Sequence, residues 1–139
     1  MTAELPPGVL SGHGHCLLCG DFHPRSWQLS FEQTDDGDVR TLFVAGSDLQ
    51  GYDNVLHGGV IASLLDAAMT HWLFHHGIQA MTGELRVRFL HPVACNVPVE
   101  LRSRLLFSCP PLYHLRAEMR CGEQRMARAE GKFMRRKQP

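Results

Sequence analysis

The sequence predicts an α+β domain in which one long helix is wrapped by a curved antiparallel sheet, with elements in the order ββαββββ. Three observations predict it. The stretch "NVLHGGVIASLLDAAMTHWLF" (54–74) reads as a helix that is apolar on every side: from Val60 to Phe74 only Ser63, Asp66, Thr70 and His71 interrupt the apolar residues. The chain after it alternates apolar and polar residues with the period of two that marks half-buried strands. Strands and helices do not alternate, which argues against a doubly wound parallel sheet.

The elements follow in order. Residues 1–25, rich in Gly, Pro, His and Cys without periodicity, predict an irregular N-terminal lead-in or cap. A single domain is expected over 26–139. "SWQLSFEQ" and "DVRTLFVA" read as two strands joined by "TDDGD", whose Asp-Gly pair signals a turn. The helix comes next, its start marked by Gly58 and Gly59 and its end by Gly77. In "ELRVRFLHP", Leu85, Val87 and Phe89 share one face and Glu84, Arg86 and Arg88 the other. "VPVELRSRLLF" repeats the pattern with Val97, Val99, Leu101 and Leu105, "LYHLRAEMRC" with Tyr113, Leu115, Ala117 and Met119, and "RMARAEGKF" closes the series. A sheet face covers only one side of an all-round apolar helix. A second copy of the chain is the economical cover for the rest, so a homodimer or a dimer of dimers is expected.

Composition narrows the function classes. With 139 residues the chain has the length of one domain. Fourteen Lys and Arg balance fourteen Asp and Glu, and no basic-aromatic interleaving marks a nucleic-acid surface. The N-terminus lacks a basic start followed by an apolar run of signal-peptide length, and no segment reaches about 18 uninterrupted apolar residues, so a cytoplasmic protein without a membrane partner is expected. Five cysteines, an odd number, read as reduced thiols. Cys16 and Cys19 form a Cys-x-x-Cys pair near His13, His15 and His23, which invites a zinc reading. Structural zinc usually takes two such pairs, so an architectural cap without metal is preferred here, and no cofactor is expected.

Asp66 asks for a reason, being an acid in the middle of an apolar helix. "HGG" followed by Asp nine positions after the His, then "MTGELRVRFLHPV" and "ARAEGKF", resembles the hotdog-fold acyl-CoA thioesterases of the PaaI type, over roughly residues 26–134. The resemblance implies a helix wrapped by an antiparallel sheet, two sheets joined edge to edge in a dimer, active sites at that interface, and an acyl-CoA substrate. It implies Asp66 as general base or nucleophile and the Gly58 N–H as the donor to the thioester carbonyl. Gly59 is then the residue allowing close approach, and Thr82 the hydroxyl orienting water.

The chemistry suits those residue types. A thioester is already activated, and its thiol leaving group needs little acid help, so a nucleophile and an oxyanion donor suffice. An N–H at a helix N-terminus has the helix dipole behind it. His57 is expected to fix the loop or help hold the thioester. Asn54 or Gln50 supplies the amide that the family carries ahead of HGG, and Arg88 is available to a coenzyme A phosphate. Two other readings remain: a non-catalytic acyl-CoA-binding module, which would not require Asp66, and a hotdog dehydratase or hydratase. The latter places an acid farther along the helix, where "MTHWLF" has none.

Overall fold

A computed structural model describes residues 12–137, so the first eleven residues of the expected lead-in lie outside the described residues. The chain divides into two compact units, one ending at Ser30 and one beginning at Phe31.

Between residues 12 and 30 the chain is a series of turns without helix or strand. Main-chain bonds close it: Cys16 N–H to the His13 carbonyl (3.0 Å), Gly20 N–H to that of Cys16 (2.8 Å) and Phe22 N–H to that of Gly14 (2.8 Å). The strand expected over 26–33 survives only as Glu32–Gln33. The Trp27 and Leu29 amides are instead taken by the Leu17 and Leu18 carbonyls. Gln28 between them has φ +57°, a left-handed conformation that no extended strand accommodates.

The second unit is a six-stranded antiparallel sheet with one helix on its inner face. Its strands are β1 (Glu32–Gln33), β2 (Val39–Val44), β3 (Ala80–Phe89), β4 (Pro98–Cys109), β5 (Leu112–Cys121) and β6 (Gln124–Arg135). They lie in the order β1-β2-β4-β5-β6-β3, so β3 is an edge. The helix α1 runs Gly58–His75. It ends where the sequence says it should: Gly77 at φ +72° lets its N–H reach the Phe74 carbonyl and the Ile78 N–H reach that of Leu73, a Schellman closure.

The alternation read in the sequence sorts the two faces of β4, β5 and β6, while in the edge strand β3 Leu85 and Phe89 stay exposed. Val99 and Leu101 of β4, Leu115 and Met119 of β5 and Phe133 of β6 are buried against Leu64, Leu65, Met69 and Leu73 of α1. Each such side chain contributes about 1.5–3 kcal/mol by leaving water. Ser103 continues the buried face and donates to the Ala68 carbonyl (2.6 Å), tying β4 to α1. On the outer face the arginines are paired: Arg40 with Glu32 and Glu100, Arg102 with Asp36 and Asp38, Arg104 with Asp38, and Arg116 with Glu130.

The helix is not apolar on every side. Gly59, Ala62, Ser63 and Asp66, at spacings of three and four, form one stripe of small residues that the sheet leaves exposed or half-buried.

Gly131 of β6 sets how closely α1 approaches. A Cβ there would lie 2.6 Å from Phe133 Cε1 and 3.1 Å from Met69 Cε, and both of those side chains are fully buried. Gly131→Ala should therefore destabilise the protein by about 1–3 kcal/mol, as overpacking does. Urea unfolding measures it, and unchanged stability would mean that α1 sits farther from the sheet.

Candidate active site

Asp66 is half-buried on the small-residue stripe of α1 and accepts a hydrogen bond from Thr82 Oγ1 at 2.6 Å. Strict alternation would place Thr82 with Glu84, Arg86 and Arg88 on the outer face. The pairing of β3 with β6 slips between Thr82 and Glu84, so Gly83 is the extra residue of a bulge. Thr82 stands opposite Phe133, while Leu85, Val87 and Phe89 stand opposite Gly131, Ala129 and Ala127. The bulge thus turns Thr82 to the helix side, the kind of re-aiming for which strands use bulges. The signal in the sequence was the lone Gly83 inside a strand pattern.

β3 runs antiparallel to α1, so the strand's other end meets the helix start. The Phe89 ring lies over Gly58, where a Cβ would be 3.6 Å from Cε1. His57 is the N-cap, and its Nδ1 accepts the Gly59 N–H at 2.8 Å. That bond requires an unprotonated Nδ1, hence in the neutral ring the proton on Nε2. Gly59 is glycine for the same reason, since a Cβ would come within 3.1 Å of that nitrogen. With Gly59 so engaged, the Gly58 N–H has no acceptor among the described residues. It projects from the positive end of the helix dipole.

The loop before α1 is held by its own bonds. Gln50 Oε1 accepts the Asn54 N–H (3.0 Å), the His57 N–H donates to the Leu49 carbonyl (3.0 Å), and Asn54 adopts φ +62°. Asn54 and Gln50 are therefore brought together with each other at the helix entrance. Arg88 lies on the outer face of β3, opposite Arg128, away from the Asp66 side. Neither arginine makes an ion pair among the described residues, unlike most arginines of that face.

In the first unit, His13, Cys16 and Cys19 place their ligand atoms within 4.8 Å of one another. Burial and the adjacent Cys16 thiol push the Cys19 thiol up to about 12. The Cys-x-x-Cys spacing was legible, with His13, His15 and His23 all near it; which of the three joins the pair was not, because it depends on the turn through Gly14.

A family model of the thioesterase superfamily matches residues 53–127, from the loop before α1 into β6. The chain belongs to the thioesterase superfamily. Over 87 residues it is 36% identical to acyl-coenzyme A thioesterase THEM4 of Bos taurus, covering 57% of this chain and 35% of that protein, so it spans about a third of that relative's length. Among solved structures, protein RHA08564 of the thioesterase superfamily matches with a TM-score of 0.80 at 26% identity, over 86% of this chain and 63% of that one. The PaaI protein of the E. coli phenylacetic acid degradation operon matches at 0.70 and 18% identity, over 76% and 82% of the two chains. A thioesterase protein of Streptococcus pneumoniae TIGR4, solved with coenzyme A, matches at 0.72 and 14% identity, over 78% and 89%. At those identities the last two bear on the fold alone, and the fold of this thioesterase-superfamily chain is the hotdog.

The capping bond can be tested apart from catalysis. His57→Ala should lose about 1 kcal/mol of stability and His57→Asn, which keeps an acceptor, should lose much less. Equal stability of the two variants would contradict the cap.

Proposed function

We propose that this chain hydrolyses acyl-CoA thioesters to the free acid and coenzyme A, with Asp66 as the base. The observation that carries the reading is the 2.6 Å bond by which Thr82 holds the carboxylate of Asp66 at the edge of the sheet. Having donated its proton to Oδ1, the Thr82 hydroxyl keeps lone pairs to accept from a water, and Asp66 Oδ2 is the atom to deprotonate it. The water oxygen attacks the thioester carbonyl, and the oxyanion that forms is held by the Gly58 N–H, a donor fixed before the reaction begins. Collapse breaks the C–S bond; the coenzyme A thiolate leaves and takes up the proton from Asp66. Direct attack by Asp66 through an anhydride uses the same groups, but a Thr82 hydroxyl beside the carboxylate, able to accept from a water, favours the water route.

One chain does not suffice for this site in our reading. Asp66 lies eight residue steps along the helix from Gly58, about 12 Å of rise, whereas one carbonyl must meet both the attacking oxygen and its donor at about 3 Å. The ten-residue edge strand β3 carries Met81 at 66% exposure and Phe89 at 53%, an apolar unpaired edge that soluble chains normally cover. A second copy pairing there would bring its own Gly58 toward Asp66 and cover the small-residue stripe, leaving a channel for the acyl group. Gly59, Asn54 and Gln50 then shape the mouth of the site, and Arg88, which like Arg128 makes no ion pair among the described residues, is available to a phosphate of the nucleotide.

Asp66→Asn should lower kcat for thiol release from an acyl-CoA by about 10²–10⁴, with a much smaller change in KM. Thr82→Ala should cost less and Thr82→Ser less still. A folded Asp66→Asn protein keeping most of its kcat would overturn Asp66 as the base, whereas wild-type protein that binds acyl-CoA but releases no thiol would replace the enzyme reading with that of a binding module.

A further inference from the structure

The geometry points to a zinc site in the N-terminal turns, with His13 Nδ1 and the thiolates of Cys16 and Cys19 as ligands and a water in the fourth position. This revises the sequence-based preference for a metal-free cap, and it stands apart from the thioesterase reading. Zinc bound at about 2.3 Å from sulfur and about 2.0–2.1 Å from nitrogen, with tetrahedral angles, sets N and S roughly 3.6 Å apart. Cys19 Sγ and His13 Nδ1 are 3.6 Å apart, and Cys16 Sγ completes a triangle whose sides are all within 4.8 Å.

The backbone is shaped for thiolates as well. The Leu18 N–H points at Cys16 Sγ, 3.4 Å away, the kind of donor that stabilises a metal-bound sulfur. The chain then folds back so tightly after Cys19 that a Cβ at Gly20 would lie 2.4 Å from Cys16 N and 2.6 Å from the Gly14 carbonyl. Only glycine closes that turn, and the turn is what brings the second sulfur beside the first. A disulfide would need the two cysteines alone; it gives no reason for an imidazole nitrogen aimed at Cys19. The His15 ring packs at a tilt against Phe22 and His23 Nδ1 accepts the Arg25 N–H, and neither belongs to the three-atom group. Two sulfurs and one imidazole form a donor set that suits zinc over the oxygen-preferring ions.

The test is elemental analysis of the full chain, purified under reducing conditions from zinc-supplemented medium, with cobalt(II) substitution as a second readout. About one zinc per chain is expected. Cobalt should give a thiolate charge-transfer band and the intense d–d absorption of a tetrahedral ion. Cys16→Ser and His13→Ala should each lose the metal, while Cys121→Ser and Asp66→Asn keep it. If Cys16→Ser fails to fold, His13→Gln, which keeps both thiols, carries the comparison. Wild-type protein with less than about a tenth of a zinc per chain and no cobalt spectrum overturns the site. So does a metal-free Cys16–Cys19 disulfide found by mass, or zinc that survives both ligand substitutions.

Discussion

The packing of α1 against the inner face of the sheet is the constraint on which the rest depends. Met69 sits over Gly131, and a fully buried row of Leu64, Leu65 and Leu73 fixes the helix's rotation about its axis. Once that rotation is set, Asp66 has one direction left, outward along the stripe with Gly59, Ala62 and Ser63 and toward β3. A carboxylate at any apolar-facing position of this helix would be desolvated without a partner, at a cost of several kcal/mol. At position 66 it meets a hydroxyl instead. The core therefore selects the place where an acid can stand, and the edge strand supplies what it bonds to.

That edge strand carries two roles that conflict in an isolated chain. β3 must present Thr82 to the helix, which needs an open side, yet ten residues of unpaired edge with exposed Met81 and Phe89 invite association. In the proposed dimer, pairing with a second copy would reconcile them, because the open side would then become the wall of a shared site. At the helix start His57 takes the Gly59 N–H, and the Gly58 N–H has no acceptor among the described residues.

Much of this was legible in the sequence. The alternation through Tyr113, Leu115, Ala117 and Met119 named a buried face that the structure reproduces residue for residue, and Gly77 marked the helix end, because both depend on local geometry. What stayed hidden depends on a single backbone torsion or on long-range closure. Gln28 in the left-handed region removed most of the first expected strand. Gly83 moved Thr82 to the opposite face from the one strict alternation gives it. His13 joined Cys16 and Cys19 through a turn that no spacing rule describes. The helix read as apolar on all sides because Gly, Ala and Ser count as tolerable in a core, whereas in the fold they mark its thinnest cover.

The central claim, that each site takes Gly58 from one chain and Asp66 from the other, is tested most directly by mixed dimers. Gly58→Pro removes the N–H while keeping a helix start, since proline is tolerated at the first helical position; Asp66→Asn removes the base. Each homodimer of variants should be nearly inactive. Co-expressed with different tags and isolated as mixed dimers, the two variants should recover roughly half of wild-type activity per dimer, because one of the two sites is then intact in both residues. Activity that stays at the level of the parent variants would mean that Gly58 and Asp66 act within one chain, and the account would be wrong.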